Sequence, residues 1–499
     1  MPEGTAPDRP PPTGGYLGAD NLARPFALTA GRRPGHPALV FDGAPVSYGT
    51  LLEQVLRAGA GVAALPTGEA PPRVALSLGN RAELPALFFG IVAAGGIVGL
   101  LDPKWSVAQT AAALDSFRPD LHLMTETAAA WIAGQPAGWT IPPVDPKTPF
   151  LVGFTSGTTG RPKAFIRNQG SWLATLEASR VEFGIGPDNI ILVPGPLVHG
   201  LGLYGAVEGL SAGATIRVQP KFDAADAAMQ LAECGVTTLV LVPTMLVGIL
   251  DAAERDGRCF PALRRVVCSG AKLAPAVHDR LAALCPDAAV LEYYGASELS
   301  FVSLRSSLEG APADSVGRPF HGVELGLRDD DGNPVERGRP GTVWVRSGML
   351  SDGYLGTTDG AGYRERDGWG TVGDYGWIDG EGWLRLVGRA GDMVITGGLN
   401  VYPAEVEAVL RAHPAVAEAV VFGLPDPYWG DALSAVVWWR GAGRASLAEL
   451  RGWCQERLEA YKAPRRVFAA ADMPLTGSGK IARADVRERA KGGGLEVVA

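Results

Sequence analysis

The residues best suited to chemistry form one short stretch, Phe154-Thr155-Ser156-Gly157-Thr158-Thr159-Gly160-Arg161-Pro162-Lys163. An apolar run, Phe150-Leu151-Val152-Gly153, precedes it and reads as the end of a buried strand. Glycine lets a backbone turn sharply enough for several N–H groups to face one concavity. The Ser and Thr hydroxyls add donors to that space, and Lys163 adds a mobile positive charge. Many donors, a cation and little bulk are what a polyphosphate tail requires. The spacing is not Gly-x-x-x-x-Gly-Lys-Ser/Thr, so this is not the common P-loop. A polar surface turn between strands is the plainer alternative.

Four more places carry chemistry-bearing side chains. His199 follows the strand-like Ile190-Ile191-Leu192-Val193, and sites in α/β folds form at such strand ends. Gly200, Gly202 and Gly205 there have the spacing of a dinucleotide fingerprint. Pro194 and Pro196 separate them from the strand, however, and no acidic residue follows at the expected distance, so the context disfavours a nicotinamide site. Three apolar runs, from Thr238, from Arg265 and from Val290, read as strands ending in small or aromatic residues at one crevice. Tyr294 offers a flat face to a purine, and Gly270 with Ala271 leave room beside it. Glu298 is a carboxylate able to hold Mg²⁺, which is bound through one or two carboxylates plus substrate phosphates; the alternative is a solvated carboxylate at a helix start. Asp374, between Gly373 and Tyr375-Gly376, is shaped to accept two hydrogen bonds from vicinal ribose hydroxyls, although alone it marks only a turn. Lys480 sits in Pro474-Leu475-Thr476-Gly477-Ser478-Gly479-Lys480-Ile481, which in isolation reads as a surface loop.

Taken in order, these stretches resemble the adenylate-forming superfamily (acyl-CoA synthetases, adenylation domains, luciferases) over nearly the whole chain, and bacterial acyl-CoA ligases most. The resemblance implies that Thr155, Ser156, Gly157, Thr158, Thr159, Gly160 and Lys163 hold ATP phosphates. It implies that Tyr293, Tyr294, Gly295 and Ser297 belong with Gly270 and Ala271 to the adenine and metal motif; Ser297 stands where threonine is commoner and keeps the hydroxyl. Asp374 and Arg389 match the ribose pair, Lys480 the catalytic lysine, and His199 the residue lining the carboxylate pocket. Gly397-Gly398 match the glycine loop that meets a pantetheine arm. The hinge position is Gly391, where aspartate or lysine is usual; glycine tolerates wide φ/ψ and still pivots.

The elements that must position these groups follow from hydrophobic pattern. Up to about residue 150, strand-like runs (Val74–Leu78, Val98–Leu101) alternate with helical ones such as 83–96, the rhythm of a largely parallel sheet. No chemical constellation is visible in that part. Past Val316-Gly317-Arg318-Pro319, Gly/Asp-rich turns separate short strands, suggesting a β-rich subdomain over about 316–389. The expected fold is therefore α/β: a large domain, 16–389, of mostly parallel sheets flanked by helices, and a small mobile α+β lid, 390–490. A helix opening at Pro403 with Glu405 and Glu407 belongs to that lid. Residues 1–15, rich in proline, read as a disordered arm and not a signal peptide, and 491–499 as a frayed tail.

Composition sets outer bounds. The chain has 499 residues, more than one core usually supports. A net charge of −8 argues against a nucleic-acid partner. The most apolar run, Ala86 to Leu101, is interrupted by four glycines and reads as a buried helix, not a membrane span. Five scattered cysteines without a Cys-x-x-Cys argue against structural zinc and for a reducing, cytoplasmic setting. The resemblance implies ATP, Mg²⁺ and a small carboxylic acid as reactants, with coenzyme A as thiol or, alternatively, the phosphopantetheine of a holo acyl carrier protein. Pro196 to Gly205 holds no acidic residue for a substrate ammonium, so an α-amino acid is disfavoured; the run after Glu298 hints at fatty acyl relatives. Chain length of the acid and oligomeric state have no signature here.

Overall fold

The computed structural model describes residues 15–155, 163–329, 331–356, 362–389, 392–396, 399–477 and 479–499. The chain divides into two compact units, Met1–Leu325 with Val345–Gly370, and Gly326–Trp344 with Thr371–Ala499.

Two sheets organise the first unit. In the larger, six neighbouring strands run parallel, in the order Ala289–Ala296, Arg265–Ser269, Thr238–Leu241, Ile190–Val193, Thr215–Val218 and Pro37–Phe41. Antiparallel strands Ser300–Ser306 and Ala44–Ser47 flank them. In the smaller, Leu121–Met124, Arg73–Ser77, Ile97–Leu100 and Pro149–Thr155 are parallel, and Lys163–Asn168 returns antiparallel. Val, Ile and Leu dominate these strands because both faces are covered by helices, which is why they read as continuous apolar runs. Such a sheet presents all its carboxyl-end loops at one edge, and the candidate residues of this unit lie there.

The run from Ala86 proves to be the buried helix expected: Glu83–Ala93 has its ten residues from Leu84 onward buried. It packs closely on the helix Tyr48–Ala63, where a Cβ on Gly90 would lie 2.9 Å from the Val55 carbonyl oxygen. Any side chain there would push the helices apart, at a cost of about 1–3 kcal/mol. Among the described residues no helix is long and apolar enough to cross a membrane.

In the second unit the strands Asp374–Ile378 and Leu384–Arg389 form a hairpin. A second hairpin, Val416–Asp426 with Gly430–Trp439, continues through the parallel strand Arg466–Ala470. The helix Pro403–Arg411 opens where its proline and Glu405 indicate, and Leu447–Gln455 starts with a Ser446–Glu449 capping box, worth about 1 kcal/mol. Val406, Leu410, Val421, Leu433, Val437, Leu450 and Val467 form the core between them. The tail expected to fray does not: Glu496–Val497 pairs antiparallel with Arg466–Ala470, and the Leu447 N–H donates to the Ala499 carbonyl. An exposed strand edge offers unpaired backbone groups, and the last residues satisfy them.

Candidate active site

Thr155 and Lys163, which flank residues 156–162 of the glycine-rich stretch, are direct cross-strand partners on adjacent antiparallel strands. Those seven residues lie outside the described ones, as do Gly391 and Gly397-Gly398.

Tyr293 and Tyr294 stand on one strand and therefore face opposite ways. The Tyr293 ring meets Phe301 edge-on at 4.6 Å, and its hydroxyl is buried, which pushes its pKa well up. Ser269 donates to the Tyr293 carbonyl at 2.9 Å and ties the strand to the end of its neighbour, just before Gly270 and Ala271. Gly295 is required by geometry: a Cβ there would lie 2.2 Å from the Ser300 carbonyl oxygen across a tight hairpin. That hairpin carries Ser297 and Glu298, and Ser300 closes it with φ of 61°. Glu298 does not start a helix and is not solvated, as its plainer reading held; it is 8% exposed. The Tyr354 hydroxyl donates to its Oε1 at 2.7 Å, and the Ser351 N–H donates to its backbone carbonyl at 2.8 Å. A carboxylate fixed in direction by a phenol remains a hard oxygen donor, and one such donor beside a triphosphate suits Mg²⁺. Among the described residues no group of three or more His, Cys, Asp or Glu is placed to hold a metal ion.

His199 ends the loop after Ile190–Val193 and is the N-cap of the helix Gly200–Ala212. Its Nε2 lies 3.1 Å from Oδ2 of Asp102, which is 6% exposed. Burial alone would push the Asp102 carboxyl up; the hydrogen bonds from His199 and from the Lys104 N–H hold it below the usual range. An ionised carboxylate only accepts, so Nε2 is the donor of this hydrogen bond and the ring's direction is fixed. The same loop is gripped by Asn80, whose Nδ2 donates to the carbonyls of Gly195 (3.0 Å) and Gln219 (2.8 Å) and whose Oδ1 accepts from the Leu197 N–H (2.7 Å). Asp102 and Asn80 come from the ends of strands in the smaller sheet, where the sequence showed no constellation. Polar side chains right after two apolar strands were the available signal. Tyr354 and the buried Arg167 gave none.

In the second unit Asp374 and Arg389 are cross-strand partners at one end of their hairpin. Asp374 is 5% exposed, and the neighbouring Tyr375 stacks on Tyr402 with ring centroids 5.3 Å apart. Lys480 is exposed on a different loop of that unit. Its backbone closes a tight turn: the Thr476 N–H donates to the Lys480 carbonyl at 2.7 Å, and the Lys480 N–H to Thr476 Oγ1 at 3.2 Å. Just beyond, Arg483 forms an ion pair with the buried Glu407, which also accepts from the Val421 N–H at 2.8 Å.

Comparison with known proteins fits this geometry. The model of the AMP-binding enzyme family matches residues 26–355, and that of the AMP-binding enzyme C-terminal domain matches 405–480. The chain belongs to the AMP-binding enzyme family. Within this adenylate-forming superfamily it is an AMP-forming acid–thiol ligase of the acyl-CoA synthetase type. It is 34% identical over 485 residues, 94% of its length and 98% of the other's, to the uncharacterized acyl-CoA ligase YhfT of Bacillus subtilis (strain 168). Its fold is similar to that of the amide bond synthetase McbA from Marinactinospora thermotolerans (TM-score 0.83, 27% identity, covering 95% of this chain and 99% of that one). It is similar also to o-succinylbenzoate CoA synthetase (MenE) from Bacillus subtilis in complex with the acyl-adenylate intermediate OSB-AMP (TM-score 0.81, 26% identity, 93% and 97%). The AMP-binding family fold thus accounts for the large parallel sheets, the flanking helices and the separate smaller C-terminal part.

Proposed function

We propose that this enzyme activates a carboxylic acid without an α-amino group, aliphatic or fatty, and passes the acyl group to coenzyme A in the cytoplasm. The observation that carries the reading is Glu298: a buried, directed carboxylate on the turn after Tyr294, at the same sheet edge as His199. Asp102, the carboxylate that the fold brings beside His199, is engaged by that histidine and by the Lys104 N–H. It is therefore poorly placed to serve a substrate ammonium.

In the first step the acid's oxygen attacks the α-phosphorus of ATP, and the bond to the leaving pyrophosphate breaks. Two anions must approach, and preorganised donors and cations relieve the repulsion. Residues 155–160 with Lys163 hold the β- and γ-phosphates, Asp374 and Arg389 fix the ribose, and Tyr294 stacks on adenine beside Gly270 and Ala271. Lys480 bridges carboxylate and α-phosphate. Glu298 is the residue that would hold Mg²⁺, whose charge, when it is bound, offsets that of the phosphates. In the second step a thiol sulfur attacks the acyl carbon, loses its proton, and AMP departs. Residues 390–490 act as the lid, turning about Gly391 to bring Gly397-Gly398 to the pantetheine.

ATP–pyrophosphate exchange across a panel of acids tests the reading. Exchange with aliphatic acids and none with amino acids is expected; the reverse would overturn it. Supplying the purified enzyme and adenylate with coenzyme A, or with a holo carrier protein, then identifies the acceptor.

A further inference from the structure

Arg167 lies in the strand that leaves the glycine-rich stretch, among Ala164, Phe165 and Ile166, and is 2% exposed. Burying a guanidinium is costly unless its N–H groups are satisfied, and an apolar residue of similar volume would pack at no such cost. Its Nε donates to Ser171 Oγ (3.2 Å), Nη1 to the Ser297 carbonyl (3.2 Å) and Nη2 to the Met349 carbonyl (2.8 Å). Burial pushes its pKa down to about 10, opposed by Asp352, Tyr363 and Glu298, so it stays charged at neutral pH.

The two carbonyls belong to the segments that hold Glu298. Ser297 precedes it, and Met349 leads into Ser351 and Tyr354, the two residues that bond it. The second segment also pairs with Arg167's own strand: Asp352 N–H to the Ile166 carbonyl (3.0 Å), Ile166 N–H to that of Gly353 (2.9 Å), and Leu355 N–H to that of Ala164 (2.7 Å). One planar fork therefore spans three pieces of chain at their meeting point, which a lysine cannot reproduce. We propose that Arg167 is a positioning residue for adenylation, locking the Glu298 turn to the strand that begins at Lys163. The Glu298 carboxylate and the Lys163 strand then keep one mutual geometry. The inference rests on the metal reading of Glu298 and adds to it a residue outside the site.

The test uses R167M and R167K in the full-length enzyme. Amide hydrogen exchange of the metal-free, nucleotide-free protein is read first. The Ser351 amide should exchange about tenfold faster in R167M, as expected when a charged donor bracing a buried turn is lost. The Leu273 amide, which donates to Glu292 elsewhere in the unit, serves as control and should not change. The Mg²⁺ concentration for half-maximal pyrophosphate exchange should also rise about tenfold. Thioester formation from supplied acyl-adenylate should stay at the wild-type rate, and R167K should fall between. Unchanged Ser351 exchange, or equal losses in both half-reactions, overturns the proposal. Should R167M not fold, R167K decides alone: wild-type exchange and Mg²⁺ response in it overturn the proposal. E298Q run in parallel separates the two ideas. If E298Q leaves the Mg²⁺ response unchanged, the metal reading fails, while the Ser351 amide still reports whether Arg167 holds the turn.

Discussion

Glu298 and Lys480 are held in opposite ways. The carboxylate is buried, with a phenol on one oxygen, a backbone N–H on its carbonyl and a guanidinium on the residue before it. The lysine side chain is exposed, on a loop whose backbone is closed by the Thr476 turn and followed by the anchoring of Arg483 to Glu407. Burial and the Tyr354 hydrogen bond restrict Glu298 rotamer freedom in advance. The Lys480 ammonium is a compact, strongly hydrated charge at the end of a four-carbon stem, exposed to solvent. A group that organises the nucleotide throughout suits the first arrangement. One needed only while two anions approach suits the second.

The largest effect should come from removing the exposed partner. Lys480→Ala is expected to lower pyrophosphate exchange by about a hundred- to thousandfold, the scale of losing one preorganised transition-state donor. Thioester formation from supplied acyl-adenylate should continue. Near-normal exchange in the variant would remove Lys480 from the chemistry, and equal losses in both steps would make it structural.

Glu298→Gln probes the buried side of the contrast. The carboxamide keeps the shape and can still accept from Tyr354, so folding should be retained while the charge is lost. The Mg²⁺ requirement of exchange is expected to rise by up to about a hundredfold. A titration curve superimposable on wild type would show that the carboxylate serves only the hairpin.

A second carboxylate, Asp102, lies between these extremes, buried itself but holding a partly exposed histidine. Asp102→Asn can still accept from His199 Nε2 and loses only charge; Asp102→Ala loses both. Exchange should fall about tenfold in the alanine variant and less in the asparagine one, within the range of a lost positioning contact. The pair also stabilises the fold. Because the folded-state pKa is lowered, that contribution is present above the ordinary value of 3.8 and fades as pH falls through the folded value. The stability gap between Asp102→Asn and wild type should therefore narrow in acid. A gap independent of pH would mean that Asp102 charge contributes nothing.

What could be read from the chain divides along the same line. Thr155 with Lys163, Tyr294, Glu298, Asp374 and Lys480 were legible because each sits in a contiguous run whose residue types announce a task. The strands and the buried helix Glu83–Ala93 were legible from apolar runs and their lengths. Asn80, Asp102, Arg167 and Tyr354 were not, since each acts on residues far away in sequence. Arg167 contacts Ser297 across 130 positions and Met349 across 182, and no local pattern encodes a partner at that distance. The paired tail Glu496–Val497 escaped for a related reason: whether a terminus frays depends on which strand edge it finds.

The smallest effect concerns a carboxyl that is buried without such braces. Glu208 lies on the helix that starts at His199, is 5% exposed, and its Oε1 has no hydrogen-bond partner among the described residues. Burial pushes its pKa up to about 8 from an ordinary 4.5, with the Ser179 hydroxyl and the Arg265 charge pulling the other way. The folded protein thus keeps a proton that the unfolded chain releases. A raised folded value means that the stability it permits is full below 4.5 and is lost as pH rises through about 8. Glu208→Gln keeps the shape and the donor of the protonated acid but cannot ionise. Its melting temperature should match wild type below pH 4.5, exceed it increasingly between pH 4.5 and about 8, by at most about 1.4 kcal/mol of stability per pH unit, and level off above that. Pyrophosphate exchange at neutral pH should not change, since the residue lies outside the proposed chemistry. A melting difference constant across that range would show that Glu208 is already ionised and paired in the folded protein, and the contrast with the braced Glu298 would disappear.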